Sequence, residues 1–107
     1  MPSPERIVQN KFALLFKARF PKGFYYKIPD TKGTGGRRPF DAFAVVKGVP
    51  YAIEFKSRTG KVSPLQTYNL EKFFEAGGGS EVVGPDRILY TLAAMEDEVR
   101  RNNNGEK

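Results

Sequence analysis

The most regular pattern of hydrophobic and polar positions lies in residues 37–56, where apolar side chains alternate along the chain with period two. The alternation runs over residues 41–46 and again over residues 51–56. Both runs are rich in β-branched and aromatic residues, which favour strands. A Lys47-Gly48 turn separates them. The pattern therefore predicts two antiparallel strands joined as a β-hairpin.

Apolar residues at helical spacing predict three helices elsewhere in the chain. The first is expected over about residues 4–19, where Ser3 supplies an N-cap and a proline follows it. A second begins after Ser63, again with proline at the first helical position, and the Gly-rich residues 76–79 end it. The third is expected from Arg87 onwards.

Two further strands and a frayed end complete the expected elements. Residues 24–28 are predicted to be an outer partner of the hairpin, and residues 81–83 a short strand. A strand over residues 88–92 followed by a helix is the alternative for the third helix. Residues 101–107 are expected to fray. At this length, residues 1–107 are expected to form one domain with one hydrophobic core.

The amino-acid composition limits which binding partners and which metal ligands this protein can have. A formal net charge of +6 favours a polyanionic partner, with nucleic acid first and an anionic membrane surface second. No apolar run approaches the length of a membrane span or a signal peptide, and no cysteine is present, which fits a cytoplasmic protein. The chain also lacks histidine, so any metal must be held by oxygen ligands. Carboxylate chemistry is what remains.

The hairpin supplies a candidate site for such chemistry. With a two-residue loop, Asp41 lies directly opposite Glu54, with Cβ atoms roughly 5 Å apart. A four-residue loop would place Asp41 opposite Lys56 instead, with all three side chains still on one face. Facing carboxylates suit Mg²⁺ or Mn²⁺, and Lys56 could reach a phosphate or a metal-bound water, which predicts phosphodiester hydrolysis. The alternative is an edge hairpin whose Glu54 and Lys56 are solvated charges.

Basic residues surround this hairpin in the sequence. Residues 29–39 are rich in Gly, Thr and positive charge, and residues 57–61 add two further cations. Such segments can contact phosphates through backbone N–H groups and cationic side chains, although an ordinary surface connection is the alternative for the first of them. The predicted DNA-binding residues are Lys32, Thr34, Arg37, Arg38, Arg58 and Lys61.

Glu5 and Gln66 each allow two interpretations. Glu5 stands in the first turn of the predicted first helix, where an acid complements the helix dipole, but it lies near the inward face and could reach a metal. Gln66 completes a capping box with Ser63, yet shares a helical face with residues that point at the sheet. Capping and a role in the site do not exclude each other.

The series Asp41, Glu54 and Lys56 resembles the core motif of the PD-(D/E)xK nuclease superfamily. The early Glu5, the basic Gly/Thr-rich segment and the helix that ends in a Gly-rich turn extend this resemblance over most of the chain. The archaeal-type Holliday junction resolvases look most similar, and VRR-type nucleases second. Thr31 and Thr34 stand where the resolvase family often has serine, and the chain after Gly79 is short. These differences leave the branch open.

The resemblance implies an α/β (α+β mixed) fold with a small central mixed β-sheet flanked by helices, a restriction-endonuclease-like core. It also implies an endonuclease that nicks four-way DNA junctions symmetrically as a homodimer, in a prokaryote or encoded by a phage. Asp41, Glu54, the Phe55 carbonyl and Glu5 would hold Mg²⁺, for which Mn²⁺ could substitute, and Gln66 would join the catalytic set. Lys56 would orient the attacking water. The alternatives are a related nuclease acting on flap, nicked or single-stranded DNA and a non-catalytic basic DNA-binding module.

Overall fold

The computed structural model describes residues 3–29 and 38–103, which form three helices and four strands. In chain order they are α1 (Pro4–Arg19), β1 (Phe24–Lys27), β2 (Ala42–Val46), β3 (Val49–Phe55), α2 (Pro64–Glu75), β4 (Gly79–Val83) and α3 (Ile88–Asn103). In these described ranges, no helix is long and apolar enough to cross a membrane. The predicted mixed fold with helices flanking a small sheet is confirmed.

The sheet has the strand order β1-β2-β3-β4. The first three strands are antiparallel, and β4 runs parallel to β3 after the crossover through α2. Val46 pairs with Val49, so the hairpin loop has two residues, as one of the two alternatives predicted. Lys47 and Gly48 both have positive φ angles, the backbone that a tight hairpin turn of this length requires.

The two faces of the sheet are covered differently. One face presents small and aliphatic side chains such as Ala44 and Ile53 to α1 and α3, and together they form the hydrophobic core. Phe12 and Phe16 of α1 are almost completely buried there. The opposite face is covered by α2, whose Phe73 ring packs edge-on against Phe43. Since successive residues of a strand point to opposite faces, Glu54 projects toward α2.

The helix ends follow their sequence signals. The Ser3 side chain accepts a hydrogen bond from the Arg6 N–H at the start of α1. Ser63 and Gln66 form the predicted capping box at the start of α2, which stacks the first turn of that helix over the end of β3. Gly77 has a φ of 106°, a conformation that side chains other than glycine rarely adopt, and this turn ends α2.

Some boundaries differ from the sequence-based expectation, and one open alternative is decided. The strand β4 begins at Gly79 rather than at residue 81, because its pairing with β3 starts opposite Tyr51. Residues 88–92 are helical, so the strand alternative is wrong. The helix α3 continues through Asn103, so residues 101–103 are not frayed as predicted, while the remainder of that tail lies outside the described residues. An ion pair between Arg101 and Asp97 supports this last turn.

Candidate active site

The end of β3 carries the most deeply buried acid of the described chain. Glu54 is only 1% exposed. Its Oε2 atom accepts a hydrogen bond of 2.5 Å from Gln66 Nε2 and lies 3.4 Å from Lys56 Nζ. Its Oε1 atom is buried without a hydrogen-bond partner among the described residues. One oxygen of this carboxylate is therefore held by neighbours, and the other is enclosed by protein without a hydrogen-bond partner among the described residues.

Asp41 reaches the same place from a bend at the start of β2. The regular ladder ends at the pair Ala42–Ile53, and the Asp41 N–H donates to the Ile53 carbonyl at 3.0 Å. Its Oδ2 atom accepts a 2.8 Å hydrogen bond from the Phe55 N–H. Asp41 and Glu54 were predicted to pair directly across the hairpin. Instead, the Asp41 side chain accepts the hydrogen bond from Phe55 that a backbone carbonyl would accept in a regular ladder. Both carboxylates still lie at the same end of the hairpin.

The surroundings of Glu54 favour its protonated form. The pKa of Glu54 is raised to about 7, because burial disfavours its carboxylate form and the charge of Asp41 acts in the same direction. The ammonium group of Lys56 acts in the opposite direction, lowering that pKa. Adjacent acids with a raised pKa are typical of catalytic or cation-binding sites, although buried ion pairs with structural roles produce the same effect.

Arg38 is placed differently from the surface phosphate contact that the sequence suggested. Its Nη2 atom forms an ion pair of 2.7 Å with Asp41 Oδ1, and its Nη1 atom donates to the Ile28 carbonyl at 2.8 Å. The guanidinium therefore lies against the site instead of facing solvent. The cause is local: Arg38 and Asp41 are three residues apart, on either side of a bend that turns their side chains together.

The other predicted DNA-binding residues are less informative. Arg58 is exposed and forms an exposed ion pair of 3.1 Å with Asp86, and Lys61 is also exposed. Lys32, Thr34 and Arg37 lie outside the described residues. Of the predicted DNA-binding residues, the described part of the chain thus brings Arg38 into the site.

Gln66 performs both of the roles that the sequence allowed. Its Oε1 atom accepts from the Ser63 N–H in the capping box, while its Nε2 atom donates to Glu54. Glu5 is partly exposed in the first turn of α1, and no group of three or more acids in residues 3–29 and 38–103 converges closely enough to hold a metal ion. The structure therefore unites Asp41 and Glu54 but does not bring Glu5 into a cluster with them.

Two polar residues that the sequence reasoning missed lie on the other side of Asp41. Gln9 is buried on α1, and Tyr25 projects toward it from β1; the Gln9 Nε2 and Tyr25 hydroxyl have no hydrogen-bond partner in the described structure. Burial, followed by the charge of Asp41, raises the pKa of Tyr25 to about 12. Gln9 could have been found from the sequence, because it is a polar residue on the inward stripe of α1 beside Phe12.

The residues present fit a divalent cation of the Mg²⁺ class. Such ions take hard oxygen ligands and keep several waters, so one or two carboxylates suffice. The partnerless Oε1 atom of Glu54 offers one ligand beside Asp41. The N–H and C=O of a strand residue point to the same side, so the Phe55 carbonyl faces the Asp41 side as well.

Comparisons with known proteins agree with this fold. No protein-family model matches the chain, and no curated protein matches its sequence. A solved structure described as a VRR_NUC domain superimposes with a TM-score of 0.65 and 23% sequence identity, over 90% of this chain and 97% of that one. The chain therefore has the fold of a VRR-type nuclease domain. This confirms the fold that the resemblance to the PD-(D/E)xK superfamily implied.

Proposed function

We propose that this protein is a Mg²⁺-dependent endodeoxyribonuclease that selects its substrate by DNA structure. One observation carries the proposal: Asp41 and Glu54 meet beside Lys56, and Glu54 keeps a buried, partnerless oxygen. The fold shared with a VRR_NUC domain supports a nuclease over other phosphate chemistry. The net charge of +6 supports a nucleic-acid substrate.

Each residue of the site has a distinct task in this proposal. Asp41, Glu54 and the Phe55 carbonyl would hold the ion, which supplies a water of lowered pKa and offsets charge on the phosphate. Gln66 keeps Glu54 oriented through its 2.5 Å hydrogen bond. Lys56, only 13% exposed and next to Glu54, orients the attacking water or neutralises the negative charge that develops on the phosphate.

A four-way junction is the substrate we propose first, cut by a homodimer that makes two symmetric nicks. The experiment is cleavage of a labelled synthetic junction, beside duplex and flap DNA, in Mg²⁺ or in EDTA. Paired nicks that require Mg²⁺ would support a dimeric resolvase. Cutting of flap or duplex alone would keep the active site and discard the junction. Tight binding without any cutting would instead identify a non-catalytic DNA-binding module.

A second candidate substrate is DNA with an unpaired strand, and one observation favours it. Phe24 and Tyr26 are half-exposed on the edge strand β1, with nearly parallel rings whose centroids lie 6.5 Å apart. Strand alternation places both rings on the sheet face that carries Glu54. Exposed aromatic rings on a protein of net positive charge are typical of surfaces on which unpaired bases stack.

The two substrates are separated by a variant of this aromatic pair. Replacing Phe24 and Tyr26 by alanine should weaken binding of flap and single-stranded DNA by about tenfold or more, because each stacked base contributes about 1–3 kcal/mol. Duplex binding should change little. Tyr90→Ala, on the exposed surface of α3, is the matched control. Equal weakening of duplex and unpaired DNA would remove the support for the second candidate.

A further inference from the structure

The ion pair between Arg38 and Asp41 places a positive charge inside the proposed metal site. The Arg38 guanidinium is held at two points, at Asp41 Oδ1 and at the Ile28 carbonyl just beyond β1. Its side chain is 23% exposed and that of Asp41 is 6% exposed, so water screens the pair only partly. The contact is more deeply buried than the ion pairs on the exposed surface, such as Arg58–Asp86.

The two acids of the site differ in what occupies their oxygens. Asp41 has a partner on each oxygen, the Phe55 N–H on Oδ2 and Arg38 on Oδ1. Glu54 has partners on Oε2 alone, and its buried Oε1 has none among the described residues. An incoming cation would therefore find an oxygen of Glu54 without a partner, but at Asp41 it would meet the Arg38 guanidinium. Since like charges repel at short range, a divalent ion and Arg38 cannot both stay close to Oδ1 at little cost.

We propose that Arg38 competes with the divalent cation for Asp41, and that metal binding displaces its guanidinium from Oδ1. The inference rests on the proposed function, since it presumes that Asp41 is a metal ligand. Arg38 is then a positioning residue that keeps a buried carboxylate paired until the cation replaces it. The displaced guanidinium remains near the site and becomes available to a DNA phosphate. Metal binding and phosphate binding are coupled in this way.

The competition predicts that removing the positive charge strengthens metal binding. The measurement is Mn²⁺ affinity, from the electron paramagnetic resonance signal of the free ion, for the wild type, Arg38→Gln and Arg19→Gln. Arg38→Gln removes the positive charge and keeps a polar side chain at this position. Arg19 is the matched control, because it is a partly exposed arginine in an ion pair with Glu96, at the far end of α1. Thermal unfolding of each variant checks that it is folded.

The expected result is about fivefold or greater tightening of Mn²⁺ binding in Arg38→Gln and no change in Arg19→Gln. Unchanged or weaker binding in Arg38→Gln, with the wild type binding normally, would overturn the competition and leave the proposed nuclease site standing. Absence of Mn²⁺ binding in all three proteins would overturn the metal site and the competition together. If Arg38→Gln fails to fold, Arg38→Lys keeps the charge and must bind Mn²⁺ no more tightly than the wild type; tighter binding would also overturn the proposal.

Discussion

Two clusters of buried polar side chains lie at opposite ends of β3, and they differ in whether their polar atoms have hydrogen-bond partners. Near the start of the strand, the fully buried Tyr51 donates a 2.6 Å hydrogen bond to Glu98 of α3. At its end, the cluster around Asp41 contains three buried polar atoms with no partner among the described residues: Glu54 Oε1, Gln9 Nε2 and the Tyr25 hydroxyl. No other buried side-chain atom of residues 3–29 and 38–103 lacks a partner.

This difference separates a structural cluster from a functional one. A buried polar group without a hydrogen bond costs about 1–3 kcal/mol, so folded proteins rarely keep several of them together. The Tyr51–Glu98 pair removes that cost within the chain. The Asp41 cluster keeps it, which is expected where an ion, a water or a substrate supplies the missing partners. The site is thus marked by what it leaves unpaired as well as by its acids.

The largest effect is expected from the ammonium group beside Glu54. Lys56→Ala should lower single-turnover cleavage by about 10²-fold or more, because the charge that acts on the reacting phosphate is lost. DNA affinity should change little, since Lys56 is mostly buried. Lys72→Ala, an exposed lysine on α2, is the control. Parallel loss of cleavage and DNA binding would contradict the catalytic assignment.

The raised pKa of Glu54 should appear in the pH dependence of stability. The pKa is raised from 4.5 to about 7 on folding, so between these values the folded state binds more protons than the unfolded state. The free energy of unfolding should therefore fall by about 3 kcal/mol as pH rises through this window, and level off above it. Urea unfolding of the wild type and Glu54→Gln measures this. An equally steep fall in Glu54→Gln would assign the effect to another group.

The Tyr51–Glu98 pair should affect stability but not cleavage. Tyr51→Phe removes a hydrogen bond whose acceptor, Glu98, lies at the surface and can bind water instead. We expect a loss of about 1 kcal/mol in the free energy of unfolding and unchanged cleavage. Chemical denaturation and single-turnover cleavage of the same preparation provide both values. A large loss of cleavage at unchanged stability would end the distinction between the two clusters.

The smallest effect is expected from Tyr25, the tyrosine of the Asp41 cluster. Tyr25→Phe removes a hydroxyl that has no partner among the described residues, so stability should hardly change. Cleavage should fall by about two- to fivefold, less than for a residue that hydrogen-bonds a metal ligand, because the Tyr25 hydroxyl is close enough for the charge of Asp41 to affect it but is not itself a proposed ligand. Tyr51→Phe is the matched control, because it also removes one buried tyrosine hydroxyl. A stability loss as large as that of Tyr51→Phe, with full cleavage, would make both clusters structural.

The local elements were predictable because their signals are local. The alternation of apolar residues predicted the hairpin. The serine-proline pairs predicted the N-termini of α1 and α2 to the exact residue. The Asp41, Glu54 and Lys56 grouping follows from the same alternation. Gln66 was predictable because one side chain can serve both its own helix cap and the sheet below it.

The rest depends on contacts that spacing does not encode. The bend at Asp41 moves its carboxylate onto the Phe55 N–H, and the same bend brings Arg38 onto Asp41. Gln9 and Tyr25 meet only because α1 packs across β1. Glu5 was expected at the metal from a resemblance, and the described chain does not gather it with the other acids. Tertiary packing decides each of these placements.

The most direct test of the central claim is the anomalous-diffraction density of Mn²⁺ in crystals of the wild-type protein grown with that ion. The expected result is a peak bound by Asp41 and Glu54 Oε1, with the Arg38 guanidinium away from Oδ1. A peak elsewhere, or none at saturating Mn²⁺ in a protein that still folds, would contradict a metal site at the end of the hairpin. The nuclease mechanism built on that site would then fail with it.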